Sequence, residues 1–283
     1  MNKYLKEMYW LFRQSFRLDI KLFQVSDWHF SFKLQFLLIK YLVIIKHFFI
    51  KFRLGRDNVE INNRKIFYDT KYGVAGLEAT LTRHRHLLKI AKVDKVKNII
   101  DIGANVGYFT ILAKEMYPLS KIFCFEPIAQ TYECLVKNTY YYTNISTFNV
   151  AISNKKGYAK MLFDEYNSAI SAINRGGNIR VATNTLDNII QNENISTIDI
   201  LKIDTESFEE NVLLGARKAL EKTRYLFIEI TIANNSNYSI SSLMSLLYSS
   251  KFNFQLVAYR NFGDTDEGEM PAMDCLLKNL NYK

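Results

Sequence analysis

The sequence predicts an α/β fold: a seven-stranded, mostly parallel sheet with an antiparallel last strand, preceded by an N-terminal helical extension. Three observations predict it. Short apolar runs recur along the 283 residues, with helix-period stretches between the early ones. That is the pattern of a parallel sheet covered on both faces. The run Asn98–Ile102 opens directly into a glycine-punctuated turn and a helix start. The last two runs are joined by Gly263-Asp264-Thr265-Asp266-Glu267-Gly268, too short for a helical crossover, so they should pair antiparallel.

The elements follow in order. Residues 1–55 form a basic, aromatic-rich extension, and residues 56–283 carry the α/β domain. Residues 1–60 hold 11 Lys+Arg against 5 Asp+Glu, whereas the rest hold 26 against 23. The basic surplus therefore belongs to the extension, and no broad basic face for nucleic acid is indicated on the domain. Leu34 to Leu54 is rich in Leu, Ile, Phe and Tyr but is interrupted by Lys40, Lys46, His47, Lys51 and Arg53. A membrane span wants about 20 mostly uncharged residues, and a secretory signal does not fit with Glu7 and Asp19 in place. On a helix, Lys33, Lys40, His47 and Lys51 share one stripe, and Gln35, Lys46 and Arg53 lie nearly opposite. Two polar stripes suit a helix gripped between neighbours, on this chain or a partner, with membrane-surface attachment as the alternative.

Past Gly55, Asn58–Ile61 and Lys65–Tyr68 flank Asn62-Asn63 and read as a hairpin. Leu77–Ala91 has helical period. The strand-like runs are Asn98–Ile102, Ile122–Phe125, Thr147–Ile152, Ile198–Ile203, Tyr225–Ile230, Phe254–Ala258 and Met273–Leu277. Tyr108–Met116, Ala129–Asn138 and Glu209–Leu220 read as helices between them. The insertion Gly157–Leu186 reads as an extra hairpin or lid. Cys124, Cys134 and Cys275 are widely spaced and odd in number, which predicts free buried thiols. His84 and His86, two apart, would face different ways on a helix, so no metal site is read there.

Two segments carry chemistry. In Asp101-Ile102-Gly103-Ala104-Asn105-Val106-Gly107-Tyr108 the glycines allow a close backbone approach, and the following helix start offers free N–H groups. Glu126 closes the next strand 23 positions after Gly103, where an acid can hold ribose hydroxyls. A pyrophosphate would want a bare glycine at Asn105 and would be repelled by Asp101. A ligand with a ribose and an ammonium but no phosphate fits better, and S-adenosylmethionine has that chemistry. The second segment, Asp199–Glu209, ends an apolar strand in two carboxylates, Asp204 and Glu206. Ligands of open α/β sheets bind beyond the carboxyl ends of the strands. Asp204 or Thr205 is read as capping the helix from Glu209, either alone or together with an active-site role for the acids.

Taken with Glu126-Pro127, Thr185-Leu186-Asp187, Leu201–Glu206, Leu214-Gly215-Ala216 and Phe227-Ile228-Glu229, the run Ile99–Tyr108 resembles the FkbM family of methyltransferases over about Asn98 to Thr231. The resemblance implies a Rossmann-like class I methyltransferase fold. It also implies O-methylation of a sugar, glycolipid or secondary-metabolite hydroxyl, with S-adenosylmethionine as cofactor. Asp101, Gly103, Asn105 and Gly107 would then contact the methionine moiety and Glu126 the ribose. Ala104, Tyr108 and Pro127 complete the expected cofactor-binding set. One departure stands out: the family usually has Glu-Gly where this chain has Glu206-Ser207.

The sulfonium methyl is already activated, so the protein must chiefly align the acceptor oxygen with it. Asp204 or Glu206 is the expected proton acceptor, and the scheme requires no metal. The expected partner is a small-molecule or glycan acceptor, in the cytoplasm or at a membrane surface contacted through the extension. A nucleic-acid methyltransferase using the basic N-terminus and a non-catalytic cofactor-binding module are the alternatives.

Overall fold

The seven apolar runs contribute to one sheet, whose central strands are apolar on both faces and are covered on both. A computed structural model describes residues 84–162, 172–173, 177–231, 240–261 and 272–282. It also describes the strands at 57–61 and 64–68, Thr80, and positions 19, 20, 30, 33, 34, 37, 38 and 41. The large sheet is built from β3 (Asn98–Ile102), β4 (Lys121–Phe125), β5 (Ile145–Phe148), β10 (Ile198–Ile203), β11 (Thr223–Thr231), β12 (Phe254–Asn261) and β13 (Ala272–Asn279). Its order is β12-β13-β11-β10-β3-β4-β5. Neighbours from β11 to β5 run parallel, and β13 runs antiparallel between β11 and β12. This is the Rossmann-like methyltransferase layout that the sequence predicts.

Alternation along each strand sends side chains to opposite faces. Ile99, Cys124, Ile200 and Phe227 face a core shared with α1 (Arg85–Ala91), α2 (Tyr108–Met116) and α3 (Ala129–Thr139). Ile100, Phe125, Leu201 and Ile228 face a second core under α4 (Leu186–Asn192), α5 (Glu209–Leu214), α6 (Arg217–Glu221) and α7 (Ile240–Leu247). All three cysteines are free and buried, as predicted.

The predicted hairpin is β1 (Asp57–Ile61) and β2 (Arg64–Tyr68), paired antiparallel. Asn138 fixes it to the domain. Its amide accepts from the Phe67 N–H at 2.7 Å and donates to the Phe67 carbonyl at 2.8 Å and the Val106 carbonyl at 2.7 Å. The side chain thus stands in for a strand partner and joins the hairpin to the loop before α2.

Three expected elements differ. The run Thr147–Ile152 is two strands. β5 stays in the large sheet, while β6 (Ala151–Ile152) joins a second, four-stranded sheet. The break falls at Asn149, whose amide donates to the carbonyls of Glu126 and Pro127 at 2.9 and 3.0 Å and so turns the chain off the sheet edge. The helix expected over Glu209–Leu220 is two, because the chain passes Ser153 too closely at Gly215. A Cβ there would lie 2.0 Å from the Ser153 carbonyl oxygen. The insertion Gly157–Leu186 supplies β7 (Gly157–Leu162), β8 (Ala172–Ile173) and β9 (Ile179–Asn184), with β7 and β9 antiparallel, so its hairpin reading holds. Residues 163–171, within the expected lid, lie outside the described residues. Of the helix expected over Leu77–Ala91, the described part is Thr80 and Arg85–Ala91, preceded by His84.

The extension over residues 1–55 falls largely outside the described residues, and with it its packing or membrane contact. The described positions 19, 20, 30, 33, 34, 37, 38 and 41 are helical, and the Tyr41 hydroxyl donates to the Asp19 carboxylate. Among the described residues no helix is long and apolar enough to cross a membrane.

Candidate active site

The site gathers at the carboxyl ends of β3, β4, β10 and β11. After β3 the chain turns back at once: the N–H groups of Gly103 and Ala104 donate to the Phe125 carbonyl at 3.1 and 3.0 Å. Gly103 has a φ of 72°, and a Cβ there would sit 1.8 Å from the Asp204 carbonyl oxygen. Only glycine allows both the left-handed backbone and this crossing of the β3 and β10 ends. The sequence reading assigned the glycines' room to a ligand. At Gly103 that room is filled by the protein itself.

Glu126 joins two loops. Its carboxylate accepts from the Asn105 N–H at 3.0 Å and from the Ile128 N–H at 2.9 Å. Asn105, at φ 49°, also accepts from the Val106 N–H through its side chain at 2.7 Å. Glu126 is 5% exposed between these loops. These two N–H bonds tie the glycine turn to the end of β4. Ala104 and Tyr108 are buried in the core beneath the turn, and Pro127 follows Glu126 on the far loop.

Asp101 is 0% exposed and turned into the core. It accepts from the Thr110 hydroxyl at 2.6 Å and lies 3.3 Å from the Lys202 ammonium. Lys202, in the middle of β10, also donates to the Gly103 carbonyl at 2.8 Å and lies 3.2 Å from Asp204. The ammonium thus makes one hydrogen bond, to the Gly103 carbonyl, and two ion pairs, with Asp101 and Asp204. Burial alone would lower the Lys202 pKa, but Asp204 and Asp101 override it and raise it. One buried cation therefore ties together the glycine turn, the strand end before it and the acid opposite.

The next polar row on this face of the sheet runs from Asp204 to Glu229 to Asp274. Ile203 is in register with Ile228, and Glu229 with Asp274. His84 caps the row. Its ring packs edge-on against Phe109 and Phe227 at 5.8 and 5.0 Å, with Nε2 3.8 Å from Asp274 Oδ2. Burial, then Asp204, Glu206, Asp274 and Glu209, push the Glu229 carboxyl well above its ordinary range. Burial also presses Asp204 upward, but Lys202, His84 and a hydrogen bond from Glu229 hold it below its ordinary value. The same cluster thus pushes the two carboxyls in opposite directions, Glu229 up and Asp204 down.

Asp204 and Glu206 are half-buried and reach the rim. The alternative of Asp204 or Thr205 as a helix cap is not what the structure has. The residue before α5 is Phe208, without a side-chain cap bond. Glu209 instead reaches back and accepts from the Thr205 N–H and hydroxyl, both at 3.0 Å. Glu206 and Ser207 hold φ of 51° and 70°, a left-handed pair where Glu206 joins Asp204 and Glu229. Asp204, Glu206 and Glu229 each place a carboxylate oxygen within 4.8 Å of the other two, close enough to hold a metal ion.

The structure thus brings Gly103, Ala104, Asn105 and Glu126 together on one side and Asp204 with Glu206 on the other, and sends Asp101 into the core between them. Sequence reasoning missed Lys202, Glu229, Asp274 and His84. Two of these carried a signal: Lys202 is a lone cation in an apolar strand, and Glu229 ends its strand as Glu126 does. The Thr185-Leu186-Asp187 part of the resemblance is structural. Thr185 caps α4, and Asp187 accepts from the N–H groups of Lys218 and Ala219 at the start of α6.

The chain is also similar to known proteins. Residues 101–256 match the family described as the methyltransferase FkbM domain. The 2-O-methyltransferase NoeI of Sinorhizobium fredii is 26% identical over 179 residues, spanning 56% of this chain and 72% of that protein. Methyltransferase sdnD of Sordaria araneosa is 40% identical over 53 residues, 19% of this chain and 20% of that protein. The solved structure of M. capricolum TrmK with S-adenosyl-homocysteine has a TM-score of 0.42 at 15% identity, covering 70% of this chain and 69% of that one.

Proposed function

Because this chain belongs to the FkbM family of methyltransferases, we propose that it methylates a hydroxyl oxygen of a sugar, glycolipid or secondary metabolite. It is an S-adenosylmethionine-dependent methyltransferase. In our reading the Gly103–Gly107 turn and Glu126 hold the cofactor, Glu126 by its ribose. The observation that carries the acceptor side is the half-buried pair Asp204 and Glu206, at the end of the strand next to the glycine turn. A hydroxyl held there lies beyond the strand ends, where the methyl would be presented.

The chemistry then follows. The acceptor oxygen forms a bond to the methyl carbon as the carbon–sulfur bond breaks, and sulfur keeps the electron pair. The products are the methyl ether, S-adenosylhomocysteine and a proton. Asp204 or Glu206 takes that proton, directly or through water. The name of NoeI, a 2-O-methyltransferase, supports oxygen as the acceptor atom.

Transfer of a labelled methyl group into extracted lipids and glycans tests the acceptor class. Asp204→Asn and Glu206→Gln should each lower turnover more than they lower cofactor affinity. Full turnover in both variants would remove these acids from the reaction.

A further inference from the structure

We propose that Asp204, Glu206 and Glu229 bind a hard divalent cation of the Mg2+ or Mn2+ class at the carboxyl ends of β10 and β11. The cation's binding stands on these residues alone; only its use in catalysis rests on the methyl-transfer reading. One carboxylate oxygen from each residue lies within 4.8 Å of the other two. Oxygens around one such ion are spaced this way, since metal–oxygen bonds of about 2.0–2.1 Å put opposite ligands roughly 4 Å apart. The ligands also come from fixed places. Asp204 directly follows β10, Glu229 lies on the neighbouring parallel strand β11, and the backbone at Glu206 and Ser207 is left-handed where Glu206 joins them.

A second observation lies under the cluster. Glu209 is fully buried, and one of its oxygens is spent on Thr205. The other, Oε2, has no hydrogen-bond partner among the described residues. Its carboxylate lies close enough to act on both Asp204 and Glu229. Burial pushes the Glu209 carboxyl above its ordinary range, and positive charge nearby is what would hold such a buried acid ionised. The charge of Lys202 is already shared between Asp101 and Asp204.

A divalent cation among the three carboxylates supplies the missing charge. An all-oxygen set selects hard metals over soft ones. Three carboxylates, each giving one oxygen, leave positions of an octahedron open for water and for an acceptor hydroxyl. A hydroxyl bound there is fixed beside the methyl donor and gives up its proton more readily. The sequence reading required no metal, and it had placed only two of these three acids in the site.

The test titrates Mn2+ alone into the full-length, chelator-treated protein, without S-adenosylmethionine, and follows free Mn2+ by electron paramagnetic resonance. One Mn2+ should bind per chain and be displaced by Mg2+. Glu229→Gln and Glu206→Gln should each weaken binding about tenfold or more. Glu206 lies on the rim, so Glu206→Gln keeps the test decisive even where Glu229→Gln fails to fold. Absence of saturable Mn2+ binding, or unchanged affinity in Glu206→Gln, overturns the proposal. Calorimetry with S-adenosylmethionine on the same samples separates the two readings. Cofactor binding without Mn2+ binding removes the cation alone, and Mn2+ binding without cofactor binding removes the methyl-transfer reading alone.

Discussion

Ser207 shows how a single residue can be read in two ways until its backbone is known. Against the family's usual Glu-Gly, the serine suggests a narrower pocket or an added hydroxyl. Its φ of 70° points to backbone conformation instead. A non-glycine residue in the left-handed region costs about 1–2 kcal/mol. Ser207→Gly should therefore stabilise the protein by about 1 kcal/mol, read as a rise of roughly 2–4 °C in Tm. An unchanged or lower Tm would mean that the serine side chain makes contacts worth more than the strain. The same scale separates what was legible from what was not. Glu126 could be found because it ends a strand at a fixed distance from a glycine turn. Glu229 ends a strand in the same way, but its role depends on standing beside Asp204, and strand neighbours are not written in one sequence. Lys202 was hidden for a similar reason. Its three partners come from residues 101, 103 and 204, and only sheet order brings them together.

At the scale of elements, the seven strands and the antiparallel end were legible from apolar periodicity and from the short final connection. The misplaced boundaries share a cause. Thr147–Ile152 and Glu209–Leu220 are each continuous in pattern and broken in space, and both breaks lie around Ser153. The chain leaves the sheet at Asn149, and the β6 that follows delivers Ser153 to the surface of Gly215. Local propensity does not contain that contact. Gly215→Ala tests it, because the added methyl meets a backbone carbonyl that cannot swing aside. The expected cost is about 1–3 kcal/mol, seen as an earlier denaturant midpoint. A midpoint equal to wild type would show that α5 and α6 can separate from Ser153 freely.

Over the whole molecule, the chemistry is concentrated and the charge is not. The cofactor turn, Glu126 and the acid cluster all lie between residues 101 and 229, while the basic surplus lies in residues 1–60. We expect the extension over residues 1–55 to serve attachment rather than catalysis. Removing it should leave S-adenosylmethionine binding intact while lowering solubility, because its apolar residues have a surface to cover. Vesicle flotation identifies that surface. Flotation lost in high salt marks electrostatic attachment to a membrane. Flotation that resists salt and alkali marks an integral span and contradicts packing on the domain or a partner.

The central claim is that the cofactor sits between the Gly103–Gly107 turn and Glu126. Calorimetric titration of S-adenosylmethionine into the wild-type protein and the folded Glu126→Ala variant tests it most directly. Loss of hydrogen bonds to a charged group is worth about 1.5–3 kcal/mol. The wild type should bind one equivalent, competitively with S-adenosylhomocysteine, and Glu126→Ala should bind roughly ten- to a hundredfold more weakly. Equal affinity in the two folded proteins would contradict the account and place the ribose elsewhere.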